Sequence, residues 1–468
     1  MPRATIIGSG PNGLASAVSL ARAGYEVRVV EAAETIGGGL RTTEATLPGF
    51  RHDVCSAVHP ATLSSPFFEA FGMAERIEWI HPEISYAHPL DDGRAAVAWR
   101  SIDRTANALG VDGRAWNALL RPLSSHIDGV VDFTGNALLR MPREPVTALR
   151  YALRILEQGT PLASLTFRTE EAAALLAGVI AHANTPLPSL GGAAAGLLIA
   201  SMAHAGGWMY PRGGAQRIAD ALVADLEAHG GTVETGVHVH DLATFDWGDP
   251  TRGDVLLLNS APRLALTHPG IPYRYAKAIS AYRYGPAVAK VDFALDGPIP
   301  WTNRDVAKAP TVHIGGTQAE VWASENAVAR GRISDRPYVL SVQPSIFDDS
   351  RAPQGRPCCG RTCTCRRTLT LTRPRSSRSR WSASRRGSAS AFLPVTRCRH
   401  PLARRSIPLR SAATHSAERL RSVRRCDVLC CRRPPGARRC AGSISHRQQP
   451  LLAPVSTDWR AGMRRAPY

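Results

Sequence analysis

The stretch "ATIIGSGPNGLASAVSLARAGYEVRVVEA" constrains the fold of this chain more than any other. It reads as a short apolar strand (Thr5–Ile7), a glycine turn, an amphipathic helix and a second strand, "YEVRVV". Gly8, Gly10 and Gly13 are spaced G-x-G-x-x-G. Gly8 permits the sharp turn, Gly10 lets the backbone approach a pyrophosphate, and Gly13 lets helix and sheet pack closely. Pro11 and Asn12 lie between them at the helix start, where free N–H groups and the positive dipole end attract phosphate. Leu14, Ala17, Val18 and Ala21 share the inner face, and Gly24 ends the helix. Glu31 stands at the tip of the second strand, 18 residues after Gly13. A carboxylate there accepts hydrogen bonds from ribose hydroxyls and disfavours a 2′-phosphate, so FAD or NAD fits better than NADP. An accidental glycine turn would explain neither the flanking strands nor the placed acid.

The next loop decides between the two cofactors. "EAAETIGGGLRTTE" sets Gly37, Gly38 and Gly39 just past the second strand, followed by Arg41. Such a loop can approach a pyrophosphate a second time, with Arg41 neutralising charge; a plain glycine loop with a solvated arginine is the alternative. Two phosphate loops in succession suit an extended FAD. From "GSGPNGLASAVSLARAGYEVRVVEAAETIGGGLRTTEATLPGFRHDVCSAVHP" the chain resembles the phytoene dehydrogenase–related flavoproteins, within the wider amine-oxidase-like FAD group. The resemblance implies that Gly8, Gly10, Pro11, Asn12, Gly13, Glu31, Gly37, Gly38 and Arg41 line FAD. "GWMYPRGGAQRIADALVADLEAHGGTVETGVHVHDL" is similar to that family's return into the cofactor domain, with Val237 laying its backbone against adenine. There Ile218, Ala221, Leu222 and Leu226 form a helix's inner face, and "GGTVETGVHVHDL" is a strand. "DVLLLNSAPR" is a further buried strand.

The resemblance implies an α/β fold: a Rossmann-like, three-layer (GR2-type) FAD-binding domain with a discontinuous α+β substrate domain. The expected pieces are 1–66 and 203–266 for FAD, 67–202 (mostly helical) and 267–350 (sheet) for substrate, and a tail at 357–468. Val288, Lys290, Asp292 and Ala294 alternate as a strand that could floor a substrate cavity. The implied activity is hydride transfer from an apolar substrate, polyenes included, to flavin, with oxygen, a quinone or another acceptor reoxidising it. No catalytic acid or base emerges, which a flavoenzyme tolerates because the cofactor carries the chemistry.

Other candidates read as structure. His238 and His240 share a strand face but lack a third ligand, so no metal is expected. His52 and His59, around Asp53 and Cys55, are loop histidines near the flavin or simply hydrogen-bonded. Trp208 and Tyr210 are core residues or cavity walls. "GGAAAGLLIASMAHAGGWMY" is a buried or surface-docking helix rather than a membrane span. No signal peptide is evident, and a single cysteine before Pro357 fits a reducing cytoplasm, with peripheral membrane contact as a second location.

The tail is anomalous. Of 57 Lys+Arg in the chain, 26 are arginines after Arg356, with no lysine and only Glu418, Asp427 and Asp458 as acids, a net +23. Subtracted from the overall +19, that leaves −4 for residues 1–356. Nine of ten cysteines also lie there. "GRPCCGRTCTCRR" has poor zinc spacing. Lysine-free, cysteine-rich sequence is unlike a functional nucleic-acid arm, so no nucleic acid is expected as partner. Read from the third base of each codon, "PCCGRTCTCR" becomes VLWAYVHVP, "WSASRRGSA" becomes VERFAPGFR, and "SHRQQPLLAPVSTDWRAGMRRA" becomes SSAATPPGAGVHGLAGWHAARA. In one frame and in order, these resemble the family's last strands, a helix and the C-terminal flavin-contacting motif. A register shift near Arg356–Pro357 is therefore expected, with a disordered or misfolded tail, poor solubility and little activity. The rival readings are a non-enzymatic flavin-fold remnant whose basic tail binds RNA or anionic lipid, and a pseudogene product.

Overall fold

Two short strands rich in buried apolar residues, joined by a helix with a single apolar stripe, bury those residues by lying parallel beneath that helix. The computed structural model, which describes residues 1–137, 139–365, 390–393 and 426–430, has this arrangement. In chain order the strands are β1 (Arg3–Ile7), β2 (Glu26–Val30), β3 (Thr42–Thr43), β4 (His52–Asp53), β5 (Trp79–Ile80), β6 (Ile84–Pro89), β7 (Ala95–Trp99), β8 (Tyr210–Pro211), β9 (Thr232–Glu234), β10 (Val255–Leu258), β11 (Ala287–Ala294), β12 (Thr311–Ile314), β13 (Val339–Val342), β14 (Cys358–Cys365), β15 (Ser390–Leu393) and β16 (Cys426–Cys430).

A four-stranded parallel sheet runs β10-β1-β2-β9. Helix Pro11–Arg22 crosses from β1 to β2 and buries Leu14, Ala17, Val18 and Ala21, the four residues its period selects. It packs beside helix Gln216–Ala228, which contributes Ile218, Leu222 and Leu226 to the same core. Residues of the 237–264 segment cover the opposite face, Val237, Phe245 and Leu264 packing about Ile7, Val30 and Leu242. The result is three layers. The strand expected through His240 ends at Glu234, because Gly236 turns the chain at φ +73°. His238 and His240 lie beyond it, their rings stacked 5.3 Å apart.

The second sheet has eight strands in the order β15-β16-β11-β14-β13-β12-β6-β7. Its last hairpin, β6–β7, comes from the otherwise helical stretch after Phe67. Helices between Ile102 and Ala205 cover that end, where Leu120, Leu176, Val179 and Leu197 pack with Tyr86 and Ala98. Small residues let helix Leu190–Ala205 run through this core: a Cβ on Gly196 would stand 2.5 Å from Ile180 Cα. The segment is thus a buried helix, and among the described residues no helix is long and apolar enough to cross a membrane.

The first residues of the tail expected to be disordered or misfolded form a strand of this sheet. β14 pairs with β11 from Ala287↔Cys365 to Ala294↔Cys358, and with β13 from Val339↔Cys363 to Val342↔Gly360. A ladder needs only main-chain donors and acceptors, so a sequence of Cys, Thr and Arg can still fill the slot. Residues 366–389, 394–425 and 431–468, which carry most of the expected disordered or misfolded tail, lie outside the described residues.

Candidate functional site

The carboxyl ends of β1 and β2 gather the residues that the sequence singled out. Gly8 leaves β1 at φ +103°, and its N–H donates to Val30 O at 2.8 Å. A Cβ on Gly8 would lie 2.3 Å from Asn259 O, one on Gly10 2.8 Å from Asn259 Nδ2, and one on Gly13 2.2 Å from Gly8 O. The second loop reaches the first: a Cβ on Gly38 would be 2.9 Å from Gly10 Cα. These contacts leave a cradle of bare backbone at the start of helix Pro11–Arg22. Gly10 is its N-cap without a side-chain cap, and Pro11 occupies the first turn. Donors at such a start have no intrahelical acceptor and face an anion readily. Asn12 is exposed at this end.

Gly37 adopts φ +104° and donates its N–H to Ser9 O and Oγ, both at 3.1 Å, which ties the loops together. Arg41 is half-buried and donates from Nε to Gly38 O at 2.9 Å, so its guanidinium is fixed against this loop. Glu31 accepts at Oε2 from Ser9 N (2.9 Å) and Ser9 Oγ (2.7 Å), and at Oε1 from Ala33 N (2.9 Å). Burial would raise its pKa, but the Ser9 and Ala33 bonds, helped by the Arg41 charge, hold it below the ordinary carboxylate value. Val237 donates its N–H to Glu31 O at 2.9 Å, and its side chain packs against the cluster of Ile7, Val30 and Leu242. The residues present fit a dinucleotide flavin: a side-chain-free cradle for the pyrophosphate, with an ionised acid beside it for a ribose.

Two site residues escaped the sequence reading. Asn259, at the end of β10, donates from Nδ2 to Gly8 O at 3.2 Å and from its N–H to Ile7 O at 2.8 Å. Ser9 is the buried side chain that orients Glu31. The only available signals were a polar residue closing an apolar strand and a serine inside a glycine turn.

A buried charged junction lies behind the second loop. Asp53 accepts from Thr42 Oγ1 (2.7 Å) and Ala215 N (2.9 Å) and pairs with Arg351 Nη2 at 2.5 Å. His52 Nε2 is 2.8 Å from Thr46 Oγ1, and its Nδ1 is 3.5 Å from Asp292, which also pairs with Lys290. Burial, then the Lys290 and Arg351 charges, push His52 down to about 3, so the ring is neutral. His59 is half-buried, and its buried Nε2 has no hydrogen-bond partner among the described residues. Lys290, Asp292 and Ala294 do share one face of β11, but that face is turned into this junction and is buried. Trp208 and Tyr210 are buried as well, Trp208 packing 4.7 Å from Tyr86 between ring centroids. Cys358 and Cys359 point to opposite sheet faces, one toward Phe50 and Ala294, the other 3.3 Å from Ser341 Oγ.

Comparison with known proteins agrees with this geometry. The flavin containing amine oxidoreductase family profile matches residues 12–359. Hydroxyneurosporene desaturase of Cereibacter sphaeroides is 41% identical over 71 residues, which are 15% of this chain and 14% of that relative. An oxidoreductase of known structure from Methanosarcina mazei shares 17% identity over 77% of this chain and 78% of its own, with a TM-score of 0.51. Rab GDI from Plasmodium falciparum, 11% identical over 92% of this chain and 89% of its own, also superposes with a TM-score of 0.51. One fold thus carries different functions, and the assignment rests on the family match. This chain belongs to the flavin containing amine oxidoreductase family.

Proposed function

We propose that this chain descends from, and in its intact frame is, an FAD-dependent oxidoreductase that takes a hydride from a C–H bond of an apolar substrate, with polyenes the first class to try. The observation that carries the reading is the bare-backbone cradle of Gly8, Gly10, Gly13 and Gly38 with ionised Glu31 beside it. Bound there, FAD would supply the two-electron acceptor. The protein's part is to grip the pyrophosphate through main-chain amides and Arg41, to bind ribose through Glu31, and to set adenine against Val237. The desaturase relative supports the apolar substrate. Oxygen, a quinone or another acceptor completes the cycle, and the low cysteine count before Pro357 supports a cytoplasmic setting.

The same reading takes residues 357–468 as translated out of frame. β14 supports it: the strand falls where the shifted frame reads VLWAYVHVP, a sequence of high β-propensity, whereas the actual one reads CCGRTCTC. The arginine-rich tail favours the rival remnant that binds RNA or anionic lipid, a reading tested by salt-sensitive binding that follows the tail. The deciding experiment is to resequence the gene across Arg356–Pro357, express the frame-restored chain with FAD, and add apolar substrates anaerobically. Stoichiometric flavin that bleaches with a polyene is expected. A restored chain that stays colourless with added FAD rejects the cofactor assignment, and an intact gene frame encoding this same tail rejects the shift.

A further inference from the structure

Helix Pro145–Gln158 reverses the usual rule for a surface helix, in which apolar residues face inward and polar ones face water. Its buried face carries Thr147, Ala148, Tyr151 and Gln158. The opposite face carries Val146, Leu149, Leu153 and Leu156, exposed by 63%, 62%, 55% and 52%. The spacing i, i+3, i+7, i+10 makes them one stripe along the outer pole. Exposed side chains continue it at both ends: Leu139 and Met141 lead into the helix, and Leu162 and Leu165 follow it. Leu190 closes the far end, since a Cβ on Gly159 would lie 2.8 Å from its Cα. A run of large exposed aliphatics of this extent is a binding surface rather than scattered exposure.

Charge selects the occupant. Residues 136–166 hold Arg140, Arg143, Arg150 and Arg154 against Glu144 and Glu157, with no lysine. Asp132 takes Arg140 and Arg143, and Glu157 takes Arg154. Arg150, exposed beside the stripe, has no acidic partner among the described residues. A second copy laid on this face would set Arg150 against the same positive rim. An anionic bilayer accepts both features, because the leucines enter the acyl boundary while the guanidiniums reach the phosphates. The geometry points to helix Pro145–Gln158 and its flanks as a monotopic docking face for an anionic lipid bilayer. The inference stands whatever the substrate proves to be.

The test is flotation of the full chain with phosphatidylcholine vesicles, with and without phosphatidylglycerol, at low and high salt. The arginine-rich tail binds anionic vesicles by charge alone, and high salt removes that contribution. The salt-resistant fraction should fall at least about tenfold in the Leu149→Glu/Leu153→Glu double variant. Arg150→Glu should keep salt-resistant binding and narrow, without abolishing, the phosphatidylglycerol preference at low salt, because the tail's charge remains. Should the charge introduced at two exposed sites upset folding, judged by melting, Leu149→Trp serves instead, and brominated lipid should quench the added fluorescence. Wild-type flotation by the double variant, or no quenching of the tryptophan, overturns the proposal. So does a lipid-free dimer that the double variant converts to monomer, which would make the face a subunit contact.

Discussion

Arg351 Nη2 and Asp53 Oδ2 lie 2.5 Å apart with both side chains out of contact with water, although 298 residues separate them in the chain. Burial alone would raise Asp53, but the adjacent guanidinium outweighs it and keeps the carboxylate ionised. The pair is fixed on both sides: Arg51 N donates to Arg351 O at 2.8 Å, and Gly213 N donates to Asp348 Oδ2 at 2.7 Å. Three chain segments that flank the cofactor loops therefore meet at one ion pair.

Breaking that pair leaves a buried unpaired charge, which costs about 3–5 kcal/mol, whereas replacing both partners by apolar groups costs far less. Arg351→Met and Asp53→Leu should each lower urea stability by about that amount, and the double variant should recover most of it. Additive losses would show that the two groups act independently.

Asn259 sets the spacing of the first glycine turn by donating to Gly8 O. In Asn259→Asp a carboxylate oxygen faces that carbonyl, close to the start of the phosphate-facing helix. Flavin affinity should drop by roughly 10- to 100-fold, the effect of about 1–3 kcal/mol for an unmatched polar group. Asn259→Ala should lose less, because it removes the bond without adding repulsion. Equal FAD titrations for the two variants would reject this account.

Every acceptor position used on Glu31 faces an N–H or O–H donor. An amide cannot satisfy both sides, since its NH2 must oppose either Ser9 or Ala33. Glu31→Gln should therefore weaken FAD binding by roughly 10- to 100-fold, and Ser9→Ala should weaken it less while raising the pH at which binding fails on acidification. A Glu31→Gln protein that titrates with FAD like the parent would remove Glu31 from the ribose site.

What the sequence made legible follows from the range of the forces involved. The crossover from Ala4 to Ala32 was readable because every requirement is local: three glycines, one helical stripe and an acid at fixed spacing. Gly38 was readable as a loop glycine, but its approach to Gly10 was not, because nothing local encodes it. The strand through His240 was overextended since "TVETGVHVH" alternates as a strand does, and the turn at Gly236 overrides that pattern. Asp53–Arg351, Asn259 and the β6–β7 hairpin's place in the large sheet depend on contacts between distant segments. Polar residues that join such segments carry no period and look like ordinary loop polarity until the chain is folded.

Acid should unfold this protein early, because His52, His88, His182, His204 and His313 are held as neutral rings. His88, His182 and His204 are pushed down to about 4, chiefly by burial, and His52 to about 3. Burial, then the neighbouring His182 and His88, hold His313 well below its ordinary value, and its Nε2 shares a hydrogen bond with His182 Nε2 at 2.8 Å. His88 donates from Nε2 to Gly316 O at 2.7 Å, and its Nδ1 has no partner. In the unfolded chain these rings take up protons near pH 6.5, while in the fold they do not until about pH 4. Their contribution is therefore fully present above pH 6.5 and is lost as pH falls toward 4, at about 1.4 kcal/mol per ring per pH unit. Urea melts between pH 8 and 5 should show stability nearly flat at first and then falling, with uptake of about three or more protons on unfolding near pH 5.5. Conservative replacement of His88 by Gln should shallow the slope by about one proton. A stability profile that stays level down to pH 5 would mean that these rings are not held neutral in the fold.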